Sequence, residues 1–199
     1  MVEAGTGGTG ATHAMAYRPP YIDERAITIE GPHPASLPEG ELLSQCEITT
    51  GRVSGPGGQH RNRVDTAVRI RHLPTDVEAT ATERRSQAQN RHVAFFRLRL
   101  KLACKVRTVT SRDSHKPSAL WQRRRQGEKM PVNPEHEDFP ALLAEALDVV
   151  IARRYDVAGS AGILGITMSQ LTRLIRQERH AFARINEGRE AIGLSKLKS

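Results

Sequence analysis

The residues that could do chemistry are concentrated in one short stretch, Ser54-Gly55-Pro56-Gly57-Gly58-Gln59. Its glycines give a backbone free to visit positive φ and to approach a partner closely, as no residue with a Cβ can. Its functional side chain is an amide. Gln59 does not titrate usefully near neutral pH, so it is not a general base. It can position a water molecule, and peptide N–H groups beside it can stabilise developing negative charge, as in an oxyanion device. No rival catalytic set is found. None of the eight histidines has metal-ligand spacing with a Cys or another His, so neither metal nor cofactor is expected. Cys46 and Cys104 read as core residues more than as a redox pair. Gly5-Thr6-Gly7-Gly8-Thr9-Gly10 fits the pattern of a dinucleotide loop, but no strand precedes it and no helix follows it.

The flanking segments must position the loop. Cys46 to Val53 reads as a strand leading into it. From Val64 to Leu73, Val68 and Ile70 alternate with Arg69 and Arg71. After a turn at Pro74-Thr75-Asp76, Val77, Ala79 and Ala81 alternate with Glu78, Thr80 and Thr82. That is a hairpin with one buried and one wet face. Ser86 and Gln89 make a capping box for a long helix, with Val93, Phe96, Leu100 and Ala103 predicted as its core face. Arg97, Lys101 and Lys105 form a basic stripe on another face, for which plain solvation is an equal reading.

Taken together, Arg52, Ser54 to His60, Asn62, Asp65-Thr66-Ala67-Val68-Arg69-Ile70, Leu73-Pro74-Thr75, Arg85-Ser86-Gln87 and Asn90-Arg91 form a longer pattern. From about Cys46 to about Val106 the chain resembles the catalytic domain of class I peptide-chain release factors. The resemblance implies ribosome-dependent hydrolysis of the ester joining a nascent peptide to tRNA. The loop would enter the peptidyl-transferase centre of the large subunit. Gln59 would coordinate water and exclude other nucleophiles, and its backbone N–H would stabilise the leaving ribose oxygen. Gly57 and Gly58 would shape the loop, and ribosomal RNA would supply the remaining chemistry. Arg52, Arg61, Asn62, Arg63, Arg84, Arg85, Gln87, Asn90 and Arg91 are RNA-contact candidates by resemblance and charge. Arg61 and Arg63 depart from the family pattern, which more usually has a small apolar residue and a lysine there. Asp76 stands where the hairpin turn usually has Gly, and Asp tolerates the left-handed region. Full release factors also carry a large codon-reading domain, which nothing here is long enough to match. The expectation is therefore a stand-alone, codon-independent factor that rescues stalled ribosomes. Members of that kind use a basic tail to sense an empty mRNA channel. The comparable stretch here is Lys116 to Lys129, with Arg123, Arg124 and Arg125 as further RNA-contact candidates.

Composition fits a polyanionic partner. The 199 residues carry a formal net charge of +8. The charge is uneven: 2 basic against 7 acidic residues over 1–51, 19 against 6 over 52–129, and 9 against 9 over 130–199. The excess therefore surrounds the candidate loop. No apolar run approaches the roughly 20 residues of a membrane span, so no membrane partner is expected. Aromatic residues make up only 4%, which argues against a base-stacking RNA-binding sheet. The first residues lack the early basic residues and apolar run of a secretory signal, and the location expected is cytoplasmic.

The chain is thus expected to be α+β: a small sheet with a hairpin, an exposed Gly-Gly-Gln loop and one long helix, followed by a small all-helical module. The expected divisions are a disordered or extended leader over 1–40, the catalytic domain over 41–115, a basic-then-acidic linker over 116–138, and the helical module over 139–199. In that module Leu142, Leu143, Ala146, Leu147, Val150 and Ile151 mark an amphipathic helix. Val157 to Gly165 reads as a second. Thr167 and Gln170 cap a third, with Arg173, Arg176 and Arg179 outside. The order of the last two resembles a helix-turn-helix, although the module's zero net charge leans slightly toward a plain helical hairpin. The partners expected are the ribosome, ribosomal RNA and peptidyl-tRNA, with the chain as a monomer. The rival readings are an RNA-binding accessory factor without turnover and a DNA-binding regulator built on the C-terminal helices.

Overall fold

The computed structural model describes residues 25–51 and 66–198. Among the described residues, two small sheets and seven α-helices make an α+β fold. The central sheet is antiparallel, with β2 (Cys46–Gly51), β3 (Ala67–His72) and β4 (Val77–Ala81) in that order. The alternation read from the sequence is realised. Val68, Ile70, Val77, Ala79 and Ala81 face inward and are buried. Asp76 takes the left-handed position of the turn, with φ 56°.

The long helix is α2 (Gln87–Lys105), opened by Ser86, whose hydroxyl accepts from the Gln89 N–H. Its buried face differs from the one expected. Asn90, Ala94, Phe95, Leu98, Leu102 and Ala103 are buried, whereas Val93, Phe96 and Leu100 are only partly so. The cause is that α2 packs on the sheet and also on the helix α4 (Phe139–Ala152), so two adjoining faces are covered. A single apolar stripe was too narrow a template.

The chain beyond α2 joins the same core. One continuous apolar cluster runs from Ala35 to Leu197. Helix α4 is its centre and is buried nearly all round, not amphipathic as expected. Around it lie α5 (Val157–Leu164), α6 (Met168–Arg176) and α7 (Arg179–Ala191). Gly165 ends α5 with φ 67°, and the Thr167 hydroxyl caps α6 by accepting from the Gln170 N–H. The short turn between α5 and α6 keeps the helix-turn-helix order.

Two segments expected to be loose are folded. Within 116–138, α3 (Ala119–Arg124) places Trp121 in the core, and the Trp121 indole N–H donates to the Leu164 carbonyl at 2.8 Å. Proline and charge made that stretch read as a linker, while Trp121 and Met130 anchor it in the core. Within the expected leader, β1 (Ile27–Ile29) pairs in parallel with β5 (Val106–Thr108), and α1 (Glu39–Ser44) leads into β2. The rest of the leader, 1–24, lies outside the described residues.

Candidate functional site

Gly57, Gly58 and Gln59, with Arg52, Arg61, Asn62 and Arg63, lie outside the described residues. The structure defines what holds that segment at both ends. Gly51 ends β2 and pairs with Ala67 at the start of β3. Departure and return points are therefore neighbours on one end of the sheet. On the return side, the Asn90 side chain is fully buried, and both of its N–H donors and its Oδ1 are engaged there. Its Nδ2 donates to the Thr66 carbonyl at 2.6 Å and to the Arg84 carbonyl at 2.9 Å, while its Oδ1 accepts from the Arg84 N–H at 2.9 Å. One amide on the first turn of α2 thus ties the loop's return to the β4–α2 connection. Asn90 was a surface candidate in the sequence; its place is inside, as a clamp.

The clamp also fixes the basic residues around it. Arg84, Arg85, Gln87 and Arg91 are all exposed, clustered where the chain enters α2. The positive end of a helix dipole lies at the same place, so the surface beside the loop's root favours anions. Glu83 is the local acid. Its carboxylate takes the Arg97 guanidinium at 2.6 Å and accepts from the Thr82 N–H, and that backbone bond, then the arginine, holds its pKa below the usual carboxylate range. Both groups are well exposed, so the pair contributes little stability.

The second basic group divides. Arg124 is turned inward, with its Nε on Asp138 at 2.7 Å and Nη2 on His136 at 2.9 Å. Arg125 donates to the Gly127 and Gly165 carbonyls, the latter at the C-terminal end of α5. Arg123 is 70% exposed, 3.9 Å from Asp138, and shares a cleft of about 330 Å³ with His92 and Phe96. Arg124 and Arg125 thus tie segments of the fold together, and Arg125, like Arg123, remains exposed to solvent. Nothing in a run of three arginines distinguishes these roles; the partners, Asp138 and the α5 carboxyl end, are remote in sequence.

Burial pushes the Cys46 thiol up to about 11 and the Cys104 thiol up to about 12. Both are poor nucleophiles at neutral pH. Among the described residues, no cluster of three or more His, Cys, Asp or Glu side chains is placed to hold a metal ion. No helix there is long and apolar enough to cross a membrane.

Comparison with known proteins places the loop and its supports in one family domain. Residues 42–133 match the RF-1 domain. Over 83 residues the chain is 43% identical to the chloroplastic peptide chain release factor PrfB1 of Arabidopsis thaliana, covering 42% of this chain and 16% of that protein. Over 59 residues it is 51% identical to peptide chain release factor 2 of Paramagnetospirillum magneticum, covering 30% and 16%. Over 74 residues it is 51% identical to peptide chain release factor 1 of Ureaplasma parvum, covering 34% and 21%. The chain spans about a fifth or less of the length of these relatives. Residues 42–133, a stretch that holds the Gly-Gly-Gln triplet, the hairpin and α2, are thus similar to the RF-1 domain of peptide chain release factors.

Proposed function

We propose that this chain hydrolyses the peptidyl-tRNA ester on the ribosome, without reading a codon, and so frees stalled ribosomes. The observation that carries the reading is the intact Gly57-Gly58-Gln59 triplet within the matched domain, strung between the paired ends of β2 and β3. Water adds to the ester carbonyl, the bond to the ribose oxygen breaks, and that oxygen leaves with a proton. Gln59 positions the water, and its backbone N–H stabilises the leaving oxygen. Gly57 and Gly58 admit the backbone to the RNA-walled centre. The exposed Arg84, Arg85, Gln87 and Arg91, together with Arg52, Arg61, Asn62 and Arg63, hold ribosomal RNA, and Asn90 sets the loop's root. Arg123 and Arg125 are the exposed members of the basic triplet able to touch RNA. The partners are the large ribosomal subunit and peptidyl-tRNA, and the chain acts as a monomer beside them.

The test is peptide release from ribosomes carrying peptidyl-tRNA, with and without mRNA beyond the P site. Release in both the presence and absence of a stop codon, lost in Gln59→Ala and reduced in Gly57→Ala and Gly58→Ala, is the expected result. Full activity in all three variants overturns the catalytic assignment, and release only at stop codons overturns the rescue reading. Free peptidyl-tRNA without ribosomes is expected to remain intact, because the loop offers no base, nucleophile or metal.

A further inference from the structure

We propose that the groove between α2 and α7 is a second docking surface for RNA backbone, a reading that rests on the ribosomal function above. The groove encloses about 760 Å³. Arg97, Lys101 and Lys105 form its α2 wall, His180 and Arg184 its α7 wall, and Arg25 lies at its margin. The three α2 cations are four residues apart, so they stand in one row with a rise of about 6 Å between neighbours. The basic stripe seen in the sequence therefore does not simply face solvent; it forms one side of a channel.

The acids in the groove have other tasks. The Glu178 carboxylate accepts from the His180 N–H at 3.0 Å and caps α7. Glu187 lies 3.8 Å from Arg25. Arg97 is paired with Glu83 and Arg25 with Glu187, so Lys101, Lys105 and Arg184 against Glu178 leave the channel a net positive charge, above apolar lining that includes Leu100, Cys104 and Ala183. Among the described residues no Phe, Tyr or Trp lines it, and its cations are suited to the phosphate chain.

The zero net charge of the C-terminal third conceals a separation of signs. Asp138, Glu145, Asp148 and Asp156 are engaged with partners inside the fold. Arg173, Arg176 and Arg179 remain on the outer face of α6 and the start of α7, beside the groove's His180. Helix α7 lies beyond the matched residues 42–133, so the groove joins the family domain to a part of the chain outside it.

The experiment is co-sedimentation of the full chain with large ribosomal subunits over a potassium chloride series. Lys101→Gln, Lys105→Gln and Arg184→Gln are combined in one variant. The slope of log K against log salt is expected to flatten by roughly two units, with at least tenfold weaker binding near physiological salt. Lys101→Glu with Lys105→Glu, which leaves Arg184 in place, should give the same direction if the triple variant folds poorly. Lys196→Gln with Lys198→Gln, outside the groove, should keep the wild-type slope. A wild-type slope in a folded groove variant overturns the proposal, as does an equal loss in the outside control. Gln59→Ala separates the two readings: it should lose release while keeping the slope. Release retained in Gln59→Ala defeats the catalytic reading alone, and the groove is still judged by its slope.

Discussion

The amide nitrogen of Asn90 lies 2.6 Å from the carbonyl oxygen of Thr66, so the first turn of α2 holds the point where the chain re-enters the sheet. The same side chain holds both backbone groups of Arg84. The proposed catalytic loop and the arginine-rich entrance to α2 therefore share a single fixed point. Buried hydrogen bonds of this kind contribute modestly when made and cost more when one partner is removed.

Asn90→Ala is expected to destabilise the protein by about 3 kcal/mol, because the Arg84 N–H and two carbonyls lose their partner. Asn90→Asp keeps an acceptor for the Arg84 N–H but loses both donated bonds and buries a charge, so it should be no better. Denaturant unfolding measures the cost. Peptide release, assayed at a temperature where the variants stay folded, should fall as well. A cost below about 1 kcal/mol with wild-type release would remove Asn90 from the role of clamp.

Stability is expected to fall on acidification because of His33. Its Nε2–H donates to the Val106 carbonyl at 3.1 Å, and its Nδ1 accepts from the Ala35 N–H at 3.1 Å. Both bonds together require the neutral ring. Burial, with the nearby Arg107 charge adding to it, outweighs the opposing effect of Asp148 and lowers the His33 pKa to about 4. The unfolded chain then binds a proton near pH 6.5 that the folded chain refuses until about pH 4. The stabilisation is complete above the unfolded value and is lost as pH falls through this window, amounting to about 3 kcal/mol. His72, whose pKa burial also lowers, adds in the same direction. His33→Asn keeps an acceptor for Ala35 and should flatten the profile. Unfolding free energies measured between pH 7.5 and 4 decide the matter, and an unchanged slope in the variant would contradict it.

Arg107 and Asp148 form the buried ion pair that fastens β5 to α4. Their side chains are 6% and 4% exposed, and Arg107 Nη1 lies 2.8 Å from Asp148 Oδ1. The other carboxylate oxygen accepts from the Thr108 hydroxyl at 2.5 Å. Burial lowers the Arg107 pKa from the ordinary arginine range, while Asp148 counters that loss. Removing one member leaves the other charged and unpaired. Asp148→Ala is therefore expected to cost about 3–5 kcal/mol. Arg107→Met combined with Asp148→Leu should cost less than either single change. Chemical denaturation of the three variants tests this, and simple additivity would show that the pair is not coupled.

The sequence disclosed the parts of this fold whose signals are local. The hairpin was legible because Val68, Ile70, Val77 and Ala79 alternate with polar residues around Pro74-Thr75-Asp76, and a sheet with one covered face demands that pattern. The caps at Ser86 and Thr167 were legible because a hydroxyl at a helix start has one obvious donor to meet. The pairing of β1 with β5 was not, since two three-residue strands far apart in the chain leave no periodic signal. The phase of α2 was missed because the helix is covered on two adjoining faces. At the site, the Gly-Gly-Gln loop and its basic surroundings were visible in residue types alone. What escaped was the division of labour: Asn90 turned in, Arg84 turned out, Arg124 and Arg125 spent on Asp138 and Gly165. These depend on partners that only the folded chain brings near.

Two helical glycines should respond oppositely to the same substitution. Gly162 is exposed in α5, and a Cβ there would meet nothing within 4 Å. Gly162→Ala is expected to stabilise by roughly 0.5–1 kcal/mol, because alanine loses less conformational freedom in a helix. Gly188 in α7 has the same propensity gain available, but its added Cβ would stand 2.1 Å from Cζ of the fully buried Tyr155. That ring cannot swing into solvent. The Tyr155 carbonyl is itself held by Arg189 Nη1 at 2.6 Å, which ties the tyrosine's backbone to the same helix. Overpacking of this kind costs about 1–3 kcal/mol or more, which exceeds the propensity gain. Gly188→Ala should therefore lower the midpoint of chemical denaturation while Gly162→Ala raises it. A rise in both would mean that α7 can move off Tyr155 at little cost, and that the packing of α7 on the rest of the core is looser than the contact requires.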